Sequence, residues 1–80
     1  MSMQNFGYLS RVCELRPAGA PPMSGCIASM TDAGAVIEVL EPFDVPETVV
    51  LAIRRTERVC RVMWRGNGQV AMLFEGAEAA

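Results

Sequence analysis

Apolar and polar residues alternate on both sides of a glycine-rich break near the end of the chain. In the segment RVCRVMWRGNGQVAMLFE, residues 58–75, Cys60, Val62 and Trp64 fall on one face of an extended strand. After the break, one face is formed by Val70, Met72 and Phe74. The break itself reads Gly66-Asn67-Gly68, and Asn-Gly supplies the positive-φ residues that a two-residue hairpin turn needs. The pattern predicts a β-hairpin.

The single tryptophan of the chain lies in the first strand of this hairpin. We expect Trp64 to lie across from Val70 or Met72 and to anchor the core, because a large ring on the apolar face buries more surface than any other residue there. The alternative role for Trp64 is a surface on which a base stacks.

Four further segments have the composition of short strands. They span residues 8–16, 25–30, 35–40 and 49–54. Within 35–40 the alternation predicts Ala35, Ile37 and Val39 inward and Glu38 outward. The apolar residues of 8–16 are divided between two faces, so a short helical turn is an alternative there.

Turn-forming stretches separate these segments. They are the proline-rich loop 17–24, the Thr31–Gly34 turn, the crossing loop 41–48 and the polar turn 55–57. Five or six short strands about ten residues apart, with no helical period, are typical of an all-β barrel or sandwich.

The 80 residues are long enough for one domain. We expect an N-terminal arm at 1–7, the strands within 8–75 and a tail at 76–80. A chain this short buries about 60% of its unfolded surface, so the core is either economical or shared with a second copy. Neither a signal-peptide pattern nor an apolar run of about 20 residues is present, which predicts a cytoplasmic protein without a membrane span.

The net charge of −2 comes from nine carboxylates and seven arginines, without lysine or histidine. An acidic balance argues against DNA or RNA binding driven by charge. The exclusive use of arginine has two explanations. One is a high-GC coding bias, and the other is the recognition of planar and phosphate-bearing groups, with which a guanidinium group forms bidentate hydrogen bonds.

The cysteines Cys13, Cys26 and Cys60 are odd in number and widely spaced, so neither a disulfide framework nor a zinc site is expected. They are interpreted as small hydrophobic residues of a reduced protein. The chain lacks histidine, a P-loop and paired-carboxylate spacing. We therefore expect no enzyme, no metal and no cofactor.

Two segments carry a resemblance to a known family. GCIASMTDAGA, residues 25–35, is followed by VPETVVLAI and then by the 58–75 segment with its closing Phe74-Glu75. This order resembles the PilZ domain, a small bacterial β-barrel family whose members commonly sense cyclic di-GMP. The similarity covers residues 25–75, about two-thirds of the chain. It implies an antiparallel β-barrel of five to six strands, of split-barrel type, across residues 8–75.

The resemblance also implies a ligand site with altered motifs. PilZ domains hold cyclic di-GMP with two arginines spaced RxxxR and with a later D/N-x-S-x-x-G. Here Ser29 replaces the Asp or Asn, Thr31 supplies the hydroxyl and Gly34 the glycine. Arg11 and Arg16 are spaced one residue too far apart, and on a strand an offset of five points two side chains to opposite faces. The implied ligand is cyclic di-GMP, bound weakly or not at all.

Each of these residues also has a structural interpretation. Arg11 and Arg16 could be solvated strand-edge arginines, with Glu14 as a partner, and the Thr31–Gly34 turn could be purely conformational. The other arginines form either a solvent face or a basic patch for an acidic partner: Arg54, Arg55, Arg58, Arg61 and Arg65. The outward positions of the hairpin form an apolar strip that would mark a partner surface or a homodimer seam: Val59, Met63, Ala71 and Leu73.

Two functional hypotheses follow. The first is a PilZ-like regulatory domain of cyclic-di-GMP signalling with weak nucleotide binding. The second is an adaptor that does not bind the nucleotide and acts through protein–protein contact, with another protein or with a second copy of itself.

Overall fold

Six antiparallel strands close into a barrel in the computed structural model, which describes residues 11–76. The strands are β1 Val12–Arg16, β2 Met23–Met30, β3 Gly34–Glu38, β4 Thr48–Ile53, β5 Thr56–Gly66 and β6 Gln69–Phe74. Their order around the barrel is β1-β2-β3-β6-β5-β4, and pairing of β1 with β4 closes it. The prediction of an all-β barrel is confirmed, and closure decides against the sandwich.

The observed strand boundaries differ from the predicted ones by a few residues. β2 starts at Met23, inside the predicted loop 17–24, and the β4–β5 turn is Arg54-Arg55 rather than 55–57. Arg54 adopts a positive φ of 55°, so the chain reverses one residue earlier than the polar stretch indicated. The described part of the first strand begins at Val12 and is extended, not helical. The predicted arm 1–7 lies outside the described residues, as do most of the tail 76–80 and the start of the segment 8–16.

The core is filled by the inward residues of the strands and of the connection between β3 and β4. The predicted inward set Ala35, Ile37 and Val39 is buried, and Glu38 is exposed. The core cluster consists of Cys13, Leu15, Ala35, Ile37, Val39, Val45, Val49, Leu51, Cys60, Val62, Val70, Met72 and Phe74. It is wholly apolar, as expected where closed pairing satisfies the backbone hydrogen bonds.

The β5–β6 hairpin forms as predicted. Asn67 and Gly68 both have positive φ, 52° and 72°, which is the requirement of a type I′ turn. The strands pair from Gly66↔Gln69 to Cys60↔Phe74.

The predicted place of Trp64 in the core is wrong. A β-bulge interrupts the β5–β6 register between Val62 and Trp64, so Met63 is the extra residue. Beyond the bulge Trp64 lies opposite Ala71, on the outer face, and is 48% exposed.

The same bulge turns Arg65 away from the outer face. Arg65 lies opposite Val70 and is half-buried, and its Nε donates a hydrogen bond of 2.8 Å to the carbonyl oxygen of Val45. Arg65 therefore does not belong to a solvent face with the other arginines. It holds the connection between β3 and β4 against the barrel.

That connection covers one end of the barrel, which we call the plugged end. The crossing loop spans residues 39–47 rather than the predicted 41–48, and it contains a short 3₁₀ helix, Pro42–Asp44. Its inward residues are Val39, Pro42 and Val45, all buried. Backbone bonds from Val39 N to Gly68 O and from Val62 N to Glu47 O, 2.9 and 2.7 Å, fix the loop.

The opposite end we call the open end. Two turns lie there, residues 31–33 and Arg54-Arg55, and neither crosses the barrel. Within residues 11–76 there is no helix long and apolar enough to span a bilayer.

Candidate functional site: the Ser29–Gly34 turn and the open end

The Ser29–Gly34 turn joins β2 to β3, and a threonine hydroxyl holds it. Thr31 Oγ1 accepts hydrogen bonds from the backbone N–H groups of Ala33 and Gly34, at 3.2 and 3.3 Å. The Thr31 N–H in turn donates to the Gly34 carbonyl oxygen at 2.9 Å. This is the local bonding that makes serine and threonine frequent in turns. The hydroxyl therefore has a conformational role whether or not a ligand binds.

Gly34 is fixed by the packing of β3 on β6. A Cβ at this position would overlap the carbonyl oxygen of Met72 and come within 3.1 Å of Leu73 Cα. Gly34 lies opposite Leu73 in the β3–β6 ladder, where the two backbones meet. Only glycine fits so close an approach.

The Arg16 guanidinium is already occupied by carboxylates. Its Nε donates to Glu14 Oε1 at 2.7 Å, and its Nη1 pairs with Glu57 of β5. The hydrogen bond to Glu14 is the main reason that the pKa of Arg16 is raised above its ordinary value. Glu14 was the expected partner, whereas Glu57 is 41 residues away in the chain and could not be identified from the sequence.

Arg11 lies at the other end of β1 from Arg16. The Arg11 carbonyl oxygen accepts a hydrogen bond of 2.7 Å from Ile27 N, which places Arg11 beside β2, close to the Ser29–Gly34 turn. Five residues of extended strand separate Arg11 from Arg16, about 16 Å. The structure thus brings Ser29, Thr31 and Gly34 together with Arg11 in their neighbourhood, and leaves Arg16 apart.

The outer face beside the turn is a shallow apolar depression of about 290 Å³. Besides the turn, it is lined by Val36, Met63, Ala71 and Leu73, among others. The predicted outward apolar strip is confirmed for Val59, Met63 and Leu73, which are exposed, while Ala71 is half-buried. Trp64, beyond the bulge, adds to this face, which sequence alternation alone could not reveal.

A larger cavity of about 550 Å³ lies at the open end. It is lined by Met30, Thr31, Asp32, Ile53, Thr56, Arg58 and Phe74. Arg58 Cζ lies 4.3 Å from the centroid of the Phe74 ring. Sequence reasoning placed Arg58 among solvent-face arginines, although residues 58, 60 and 62 share one face of a strand. That alternation was the signal that could have located it at the mouth of the barrel.

The thiols are protected by the barrel. Cys13 and Cys60 are buried and Cys26 is half-buried, all three with free thiols. Burial, and secondarily the charge of Cys26, raises the pKa of Cys13 to about 11, and burial raises the pKa of Cys60. In the described part of the chain no group of three or more Cys, Asp or Glu residues could hold a metal ion.

No protein-family model, no curated protein and no solved structure matches this chain.

Proposed function

We propose that this chain is a PilZ-like regulatory domain of cyclic-di-GMP signalling that binds the nucleotide weakly. The proposal rests on the resemblance of residues 25–75 and on one observation, the Ser29–Gly34 turn. Its threonine and glycine border an apolar depression on the outer face of the barrel. The Thr31 hydroxyl accepts two hydrogen bonds within the turn but can still donate its own hydrogen. An apolar surface next to such a donor suits a purine base and a phosphate.

Weak binding follows from the arginines. A cyclic dinucleotide carries two phosphates, and tight binding calls for two guanidinium groups that act together. Arg11 is exposed near the turn. Arg16 lies about 16 Å from Arg11 along the extended strand and is paired with Glu14 and Glu57. Recruiting Arg16 would break both ion pairs.

Ser29 weakens the site further. It stands where the family has Asp or Asn, and one hydroxyl offers fewer hydrogen bonds to a guanine edge than a carboxylate or an amide does. A domain with one arginine near the turn, and with serine in place of the guanine-reading Asp or Asn, would respond only to high nucleotide concentrations.

Titration calorimetry with cyclic di-GMP on the full chain tests the proposal. We expect saturable binding that Arg11→Ala abolishes and Thr31→Ala weakens. Arg55→Ala removes the same charge from a turn outside the proposed site and is the matched control, with unchanged binding expected. The absence of heat at any accessible nucleotide concentration would reject nucleotide sensing.

An adaptor is the second candidate, favoured by the exposed outer face of the β5–β6 hairpin. Met63 is 58% exposed and Trp64 48%, with Leu73 beside them. Exposed apolar clusters of this kind mark contact surfaces. A partner that covers Trp64 would shift its fluorescence to shorter wavelength, and an adaptor would show this shift with its partner but no heat with cyclic di-GMP.

A further inference from the structure

The plugged end of the barrel carries an exposed apolar projection. The inward residues of the crossing loop fill the barrel, so the residues between them point away from it. Leu40 is 95% exposed and Phe43 76%, the two highest values among the exposed large hydrophobic residues of 11–76. Covering the Phe43 ring would remove its apolar surface from water, which is favourable.

The surroundings of Phe43 are acidic. Four exposed carboxylates belong to this end: Glu38, Glu41, Asp44 and Glu47. Arg65 lies nearby but is half-buried and bonded to Val45, so it neutralises little of this surface charge. The loop therefore presents an apolar side chain within a negative field.

The open end has the complementary properties. Its cavity of about 550 Å³ has apolar walls formed by Met30, Ile53 and Phe74. The Arg58 guanidinium lies over the Phe74 ring, and Arg54 and Arg55 are exposed in the adjacent turn.

Among the described residues, three carboxylates lie at or beside the open end and reduce its positive charge: Asp32, Glu57 and Glu75. Asp32 lines the cavity, and Glu57 is in β5 next to the β4–β5 turn. Glu57 shares Arg16 with Glu14, and Glu75 lies 3.9 Å from Arg61, so both charges are partly compensated. Within residues 11–76, Arg54, Arg55 and Arg58 outweigh Asp32 and two partly compensated carboxylates, which leaves the described part of this end basic.

We propose that the crossing loop of one copy docks in the open-end cavity of a second copy, with Phe43 inserted. Phe74 itself is buried beneath Arg58, so the incoming ring would pack on the Arg58 guanidinium and against Met30 and Ile53. A cation–π contact and the burial of apolar surface would then act together. The carboxylates around Phe43 would face Arg54 and Arg55. Apolarity and charge both match, and a second copy provides every group required.

The contact is heterologous, because each copy contributes two different surfaces. A bound pair retains one free loop and one free cavity, so the assembly grows as an open chain. A single inserted loop makes a small interface, which gives weak association. Because exposed charges contribute, salt weakens the contact.

Sedimentation velocity on the full chain, over a wide range of protein and salt concentrations, is the first measurement. The average mass rises with protein concentration and falls with added salt if the proposal holds. A mass that stays at one chain at the highest concentration overturns it, whether the cavity is empty or filled by another part of the same chain.

Two variants separate this contact from any symmetric dimer. Phe43→Ser removes the inserted side chain and keeps the cavity, and Met30→Glu charges the cavity wall and keeps the loop. Each alone is expected to associate at least about tenfold more weakly, as for loss of a central aromatic contact. Mixed in equal amounts, they are expected to form a dimer that does not grow, since only one loop and one cavity remain intact.

Full association of either variant, or failure of two folded variants to pair when mixed, overturns the proposal. Circular dichroism checks folding, and Leu40→Ser and Arg58→Glu are second variants of the exposed loop and of the cavity.

Leu73→Ser is the matched control, because it removes an exposed apolar side chain from the outer face of the hairpin. It is expected to leave association unchanged. If Leu73→Ser weakened self-association as much as Phe43→Ser does, the contact would lie on the outer face of the hairpin instead. Cyclic di-GMP calorimetry on Phe43→Ser is expected to match the parent chain, so failure of the nucleotide proposal and failure of this one are distinguishable.

Discussion

The guanidinium carbon of Arg58 lies 4.3 Å from the centroid of the Phe74 ring at the open end of the barrel. Arg58 is in the inward row of β5 with Cys60 and Val62, at the point where that row leaves the core. The long side chain reaches over Phe74 with its guanidinium group, and the residue remains exposed to water. Arg58 thus closes one side of the core that neighbouring strands leave accessible.

Arg58→Ala is expected to lower the free energy of unfolding by about 0.5–1 kcal/mol, the usual contribution of a cation–π contact at an accessible site. Urea denaturation followed by circular dichroism measures it. Arg55→Ala, an exposed arginine in the neighbouring turn, is the control with a smaller expected effect. Equal losses for the two variants would mean that the Phe74 contact contributes nothing.

Gly34→Ala is expected to destabilise the barrel by about 2 kcal/mol or more, because the new methyl group would overlap the Met72 carbonyl and force β3 away from β6. Gly19→Ala is the control. Gly19 has a φ of 75°, and a methyl group added there would meet no atom within 4 Å, so this variant suffers only the backbone strain, about 1 kcal/mol. A Gly34→Ala barrel as stable as the Gly19→Ala barrel would show that the strands adjust freely.

The local rules of the sequence were sufficient for much of this fold. The alternation of Ala35, Ile37 and Val39 and the Asn67-Gly68 turn depend on neighbours in the chain, so a strand and a hairpin could be predicted from them. The same holds for the threonine-held turn, whose hydrogen bonds span three residues at most.

Features that depend on distant pairing could not be predicted in this way. The bulge at Met63 is defined by which residues of β6 face Val62 and Trp64, and strict alternation placed Trp64 on the wrong face. The pairing of Arg16 with Glu57 joins residues 41 apart that only the β1–β4–β5 order brings together. The open-end cavity likewise exists only once the barrel has closed.

Trp64→Ser is expected to lower the free energy of unfolding by less than about 1.5 kcal/mol, because the ring lies on the outer face and is about half exposed to water. Ile37→Ala, at a fully buried position, is expected to cost about 2–5 kcal/mol. Urea unfolding by circular dichroism compares the two without using tryptophan emission. A Trp64→Ser cost equal to that of Ile37→Ala would place the tryptophan in the core after all.

Stability is expected to depend on the Cys13 thiol at alkaline pH. Burial raises the pKa of Cys13 from 9.0 to about 11, so the thiol ionises at lower pH in the unfolded chain than in the barrel. The contribution of the neutral thiol to the free energy of unfolding is complete below about pH 9, and it is lost as the pH rises to about 11. Cys13→Ala should therefore have a lower free energy of unfolding than the parent near neutral pH. This deficit should narrow between about pH 9 and pH 11, because only the parent loses the contribution of the thiol. Urea midpoints measured at a series of pH values give the deficit, and because both chains share all other ionisable groups, a deficit that stays constant would contradict the assignment.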